Sequence, residues 1–215
     1  MTPENNNREQ KVFVDSILCV PVFRTEFNGL SDEMGLESIL KEELKKNKIP
    51  SEDGDIEQSY PELHLKEEMR PLCDNIFRTL KCISKDILFL NPEYKIEITA
   101  MWANKQKPGT VFERHRHHNN ILAGVFYVNG GESFPHISFW NPSDPHMLPT
   151  VVKFNEFNSL AHSYPTTKDA LLVFPAHIDH SVAINKSGED RYSISFNVMF
   201  RGTYDTPESL QSVTL

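Results

Sequence analysis

Apolar side chains recur at steps of three or four along the first part of the chain and at steps of two further on. Leu36, Ile39, Leu40 and Leu44 share one helical face behind Ser31, which offers a side-chain cap, so a helix is expected there. Leu65, Met69, Leu72, Ile76, Leu80, Ile83 and Ile87 repeat the helical pattern. Pro71 falls inside it and predicts either a kink or a helix that begins at that point. Ahead of both, "KVFVDSILCVPVFRTEF" (11–27) is rich in Val, Ile and Phe and reads as one or two strands broken near Pro21. The polar, turn-rich "KIPSEDGDIEQSYPE" (48–62) reads as a loop.

From about residue 93 the period becomes two. In "KIEITAMW" the alternation puts Ile96, Ile98, Ala100 and Trp102 on one face. Strand-like segments follow at 121–128, 134–140, 149–157, 170–174, 180–185 and 191–200, divided by Gly, Pro, Asn and Asp. Short strands in succession, with no helical pattern between them, predict an antiparallel sandwich or jelly roll. The expected organisation is a disordered start (1–10), one domain over 11–200 and a tail over 201–215. Within the domain, a strand and two supporting helices (11–92) precede a mostly β core (93–200).

Composition narrows the function. The chain has 215 residues, 39% of them hydrophobic and 24% charged, with a formal net charge of -8. A diffuse nucleic-acid binder needs a basic face, so a nucleic-acid partner is less expected than a small molecule or a protein side chain. Cys19, Cys73 and Cys82 form no C-x-x-C pair and read as reduced thiols. The polar start is no signal peptide, and the apolar run Ile121 to Val128 is too short to span a bilayer. A cytoplasmic protein without a membrane partner is expected, and nothing in the pattern indicates an oligomeric state.

The chemistry gathers late in the chain, since every one of the nine histidines except His64 falls between 115 and 180. In "ERHRHHNNILAGVFYV", His115 and His117 share one strand face and His118 takes the other. "FPAHIDHSVAIN" adds His177, Asp179 and His180 as candidates for a third ligand. Three ligands from two distant strands, with open positions left over, is what a non-haem iron site requires. His136, His146 and His162 sit in turn-like surroundings and read as surface residues. "RYSISFNVMF" sets Tyr192, Ile194, Phe196, Val198 and Phe200 on one face and Arg191, Ser193, Ser195 and Asn197 on the other. A buried arginine needs an anion, and its fork suits a carboxylate. Arg191 follows His180 by about one strand–turn–strand unit, so the pair could hold the two ends of one small dicarboxylic acid.

Together "HRHHNNILAGVFYV", "FWNP", "FPAHIDHSVAIN" and "RYSISFN" resemble the Fe(II)/2-oxoglutarate-dependent oxygenase superfamily. The likeness is greatest to its prolyl-hydroxylase-like branch and to a group of oxygenases from phages and marine bacteria. It spans roughly residues 93 to 200. It implies a double-stranded β-helix, a cupin-like jelly roll, holding one Fe(II) and using 2-oxoglutarate as co-substrate. It implies His115 and His180 as ligands, and Arg191, Ser193 and Tyr127 as contacts of the far carboxylate. The implied reaction is hydroxylation with release of succinate and CO2. The superfamily pattern is H-x-D/E…H, and here His117 stands at the carboxylate position. The expected ligand set is therefore His115, His117 and His180, with Glu113 or Asp179 as alternative oxygen donors. The segments 141–149 and 157–169, long and turn-rich, are the expected rims of the substrate site.

Two other readings use the same residues. From Gly109 the spacing matches the start of the cupin G-x5-H-x-H motif, although Ile121 and Leu122 stand where its glutamate belongs. A three-histidine cupin without 2-oxoglutarate would leave Arg191 and Ser193 unexplained. A jelly-roll binding module with incidental histidines would bind no metal.

Overall fold

The structure is a computed structural model that describes residues 19–50, 56–142, 149–206 and 208–215. The expected disordered start, residues 11–18 of the first predicted strand, most of the first rim and His146 lie outside them.

Helices come first. Gly35, with φ 62°, divides α1 (Leu30–Met34) from α2 (Leu36–Lys46) by taking a left-handed turn that a Cβ would oppose. On α2, Leu36, Leu40 and Leu44 are buried as the spacing predicts. Ser31 lies inside α1 and does not cap it. The buried Asp169 carboxylate does so from elsewhere in the chain, accepting the Gly29 and Ser31 amides at 2.9 Å each. In α3 (Arg70–Cys82) Pro71 sits in the first turn, where its missing N–H costs nothing, so the helix begins there. Leu65 falls in a 3-10 turn before α3 and is 72% exposed, so the buried stripe is shorter than its spacing suggests.

These helices cover one face of a six-stranded antiparallel sheet. Its strands are β1 (Phe23–Glu26), β2 (Ile56–Gln58), β3 (Lys95–Gln106), β5 (Leu122–Tyr127), β8 (Ala170–Pro175) and β10 (Arg191–Arg201). They are ordered β1-β8-β5-β10-β3-β2. A second sheet, ordered β4-β9-β6-β7, comprises β4 (Phe112–His115), β6 (Ile137–Trp140), β7 (Ala161–Tyr164) and β9 (His180–Val182). Val125, Tyr127, Leu172 and Phe174 of the large sheet meet Ile137, Phe139 and Val182 of the small one. The result is a jelly roll supported by helices. A two-residue pairing of β11 (Thr203–Tyr204) with β12 (Val213–Thr214) lies beyond it.

Three predicted segments differ. The expected strand at 149–157 forms turns, because Asn155 Oδ1 accepts the backbone amides of Phe157 and Asn158 in place of a strand ladder. The expected loops at 48–62 and 157–169 contain β2 and β7, which pair with β3 and β6. In β3 the register against β10 shifts between Val198 and Asn197, so Ala100 and Ile98 follow one another as partners. That bulge reverses the alternation: Ile98, Met101 and Ala103 join the helix-facing core, while Trp102 and Asn104 turn into the barrel. Trp102 therefore does not share a face with Ile98.

Candidate metal centre

The barrel mouth is built where β4 ends and β9 begins. His115 and His180 are cross-strand partners there, with ring centroids 4.3 Å apart. His117 lies two residues past His115, where the chain leaves β4 and its amide donates to the Ala176 carbonyl at 2.9 Å. Its ring lies 5.5 Å from that of His115 and 5.1 Å from that of His180. One ligand nitrogen from each of the three lies within 4.8 Å of the others. Among the described residues this is the group of His, Cys, Asp and Glu side chains placed to hold a metal.

The hydrogen bonds prepare these rings for a cation. His115 Nδ1 contacts the Glu113 carbonyl at 2.7 Å, and His180 Nδ1 the Ile178 carbonyl at 3.0 Å. His117 Nδ1 contacts Oδ1 of Asn197 at 2.5 Å. Each acceptor takes the Nδ1–H, which leaves Nε2 bare as a lone-pair donor. Burial pushes the His180 imidazole down to about 3, and burial likewise lowers His117, so both stay neutral at ordinary pH.

The alternative oxygen donors stand elsewhere. Asp179 bonds Arg114 at 2.9 Å and Arg116 at 2.6 Å, and those two bonds hold its carboxyl below the usual range. Arg114 and Arg116 alternate with the histidines along the chain, so they fall on the other side of it. Glu113 is exposed and takes no part in the cluster. His118, His136, His162 and His177 are all exposed.

Behind the histidines a narrow cavity runs into the barrel, lined by Val125, Phe174, Val182, Ser193 and Arg191 among others. Arg191 is 2% exposed. Its Nε reaches Thr166 Oγ1 at 3.3 Å and its Nη1 reaches Gln106 Oε1 at 3.4 Å, both neutral and both long. No carboxylate pairs with it among the described residues. Its guanidinium lies 5.0 Å from the Tyr127 ring centroid. Burial pushes the Tyr127 phenol up, and its hydroxyl is buried without a hydrogen-bond partner among the described residues. Ser193, also 2% exposed, is the cross-strand partner of Tyr127. A buried cation without an anion, beside a buried hydroxyl without a partner, is the mark of a carboxylate site.

Several cavity residues carried no signal in the sequence. Asn104 accepts from Gln58 at 2.8 Å and from Trp102 Nε1 at 3.0 Å, and donates to Ser195 Oγ at 2.9 Å. Gln106 and Thr166 steady Arg191 as acceptors while donating to the carbonyls of Thr110, Ala183 and Pro135. The bulge in β3 hid the inward direction of Trp102 and Asn104. Outside the histidines a wider, open cleft is lined by Gln58, Trp102, Phe112, His118 and Asn197.

A jelly roll with a cation-binding mouth and a buried arginine behind it is the architecture of the 2-oxoglutarate-dependent iron oxygenases. Residues 100–197 match the family described as "Putative 2OG-Fe(II) oxygenase", and the core of this chain is that of a 2-oxoglutarate-dependent non-haem iron oxygenase. Its metal and co-substrate are accordingly Fe(II) and 2-oxoglutarate. Similar solved folds include a Pseudomonas putida prolyl-4-hydroxylase (12% identity, TM-score 0.59, covering 85% of this chain and 94% of that one). The alpha ketoglutarate dependent epimerase SnoN from nogalamycin biosynthesis is 12% identical with TM-score 0.64, over 89% of this chain and 81% of that one. A Trichoplax adhaerens prolyl hydroxylase in complex with a peptide fragment is 11% identical with TM-score 0.58, over 83% of each chain. No curated protein sequence matches the chain. No helix among the described residues is long and apolar enough to cross a membrane.

Proposed function

We propose that this oxygenase hydroxylates its substrate with release of succinate and CO2, using His115, His117 and His180 to hold the iron. Arg191, with Tyr127 and Ser193, takes the far carboxylate of 2-oxoglutarate. The observation that carries this reading lies at the cavity floor: among the described residues, the buried guanidinium has no anion and the buried hydroxyl beside it has no partner. One carboxylate satisfies both.

When bound, the iron and 2-oxoglutarate supply oxidative decarboxylation coupled to oxidation of a C–H bond. The chain's own residues bind, orient and shield. Nδ1–H bonds to fixed acceptors turn the three imidazoles the same way, which leaves each Nε2 bare for a metal to meet. Val125, Ile137, Phe174 and Val182 line the cavity with apolar surface, which strengthens the Arg191–carboxylate attraction by excluding water. Trp102, fixed by Asn104, stands at the outer cleft where the substrate would enter.

The test is an anaerobic visible spectrum of the Fe(II)-loaded protein before and after adding 2-oxoglutarate. A new charge-transfer band shows the keto acid chelating the iron. Iron bound without such a band would instead favour the cupin reading.

A further inference from the structure

Two of the three imidazoles are oriented by backbone and one by a side chain. His115 and His180 each use the carbonyl two residues earlier in the chain, so any sequence folding this way would hold them. His117 lies past the end of β4 and uses Asn197, on the inward face of β10. We infer that Asn197 is the positioning residue of the metal centre, keeping His117 in the tautomer whose bare Nε2 joins those of His115 and His180. The inference rests on the three-histidine reading above.

A neutral imidazole carries one N–H and one bare nitrogen, and its hydrogen-bond partner decides which is which; at His117 that partner is the acceptor at Nδ1. The Asn197 Oδ1 can only accept. Trp102, its ring centroid 5.7 Å from that of His117, restricts the plane of the imidazole but not its proton. Losing the Asn197 acceptor frees the proton to move to Nε2 and block the ligand atom. The acceptor also sets how basic Nε2 is. Three imidazoles bring no negative charge to the cation, so this hydrogen bond is the one through which a side chain can add donor strength. An amide gives a modest effect, and a carboxylate in its place would give more.

Opposite changes at Asn197 should therefore move metal affinity in opposite directions, which a purely structural role would not do. The experiment is anaerobic Co(II) titration of the full chain, with imidazole 15N NMR of the metal-free protein. In the wild type His117 should resonate as the Nδ1–H tautomer. Asn197→Ala should weaken Co(II) binding by ~10-fold or more and mix the tautomers, while Asn197→Asp should bind at least as tightly as wild type. Wild-type affinity and tautomer in a folded Asn197→Ala protein would overturn the assignment, as would an Asn197→Asp protein that binds as weakly as Asn197→Ala. Should Asn197→Ala not fold, Asn197→Ser takes its place beside the near-isosteric aspartate. A wild type that binds no Co(II) sinks the three-histidine reading and this inference together. Binding that ignores both substitutions sinks only the role of Asn197.

Discussion

His115 and His180 face one another across β4 and β9 as direct register partners, although they are far apart in the chain. A pairing of this kind is fixed by the strand ladder, so the two imidazoles meet before any metal arrives. Removing either ring leaves a mouth with two donors instead of three.

His180→Ala should accordingly abolish stoichiometric Fe(II) binding while leaving the fold in place, because the ring lies at the mouth and not among the helix-facing core residues. Anaerobic titration with Fe(II), alongside circular dichroism, checks both halves. Retained stoichiometric binding would remove His180 from the ligand set.

Arg191→Ala should spare Fe(II) binding and weaken 2-oxoglutarate by about 3 kcal/mol, roughly 100-fold, the value of charge-assisted hydrogen bonds to one carboxylate. The same arginine should lower stability when no anion is bound, since an unpaired buried charge carries a desolvation cost. Arg191→Met, of similar length, should therefore melt above the wild type without 2-oxoglutarate and lose the rise in Tm that 2-oxoglutarate gives the wild type. Thermal melts of both proteins, with and without the keto acid, decide this. A lower Tm for Arg191→Met in its absence would mean that Thr166 and Gln106 already satisfy the guanidinium.

The two faces of β10 were legible because its alternation runs unbroken: Tyr192, Ile194, Phe196, Val198 and Phe200 all join the helix-facing core. The histidine cluster was legible for a similar reason, since residues two apart keep a common side even as the chain leaves a strand. β3 was not, because a bulge adds one residue and reverses every face beyond it, and nothing in "KIEITAMW" marks where that falls. Asx bonding at Asn155 hid the turns at 149–157 behind a run of strand-forming residues. The cap of α1 was illegible in principle, because Asp169 reaches it from the other end of the fold.

Gly124 offers a test of the packing that carries β5. A Cβ there would stand 2.2 Å from Phe196 Cζ, far inside contact distance, because the phenyl ring occupies the space a side chain would need. Gly124→Ala should destabilise the protein by about 1–3 kcal/mol through overpacking. Trimming the ring in the Gly124→Ala/Phe196→Leu double variant should recover part of that loss. Urea denaturation of the two single variants and the double variant measures the coupling. Additive losses would show that the two residues do not compete for this space.

Asp169→Ala should cost about 2 kcal/mol, because it strips two backbone amides of a buried acceptor at once. Those amides belong to Gly29 and Ser31, so the loss falls on the start of α1 and on its attachment to the loop before β8. Hydrogen exchange should quicken at residues 29–34 more than in α3. Equal protection in both helices would show that the carboxylate is not what holds α1.

His117→Asp tests what a neutral third ligand does to the site. With three imidazoles the bound cation keeps its full charge until 2-oxoglutarate arrives, and a carboxylate at 117 would offset part of it from the start. Asp is shorter than His, but His117 sits on chain that has already left β4, tied by its amide to Ala176, so the backbone there is not locked into a ladder. Asn197 need not obstruct the change: its amide can turn to donate from Nδ2 where Oδ1 now accepts. The expected outcome is tighter Fe(II) binding than wild type together with weaker 2-oxoglutarate binding, since the keto acid then meets a cation of lower net charge. Titrations of each ligand separate the two effects. Fe(II) binding lost altogether would mean that only the length of an imidazole brings a donor from position 117 to the other two, and that reach rather than charge sets this site's choice of histidine.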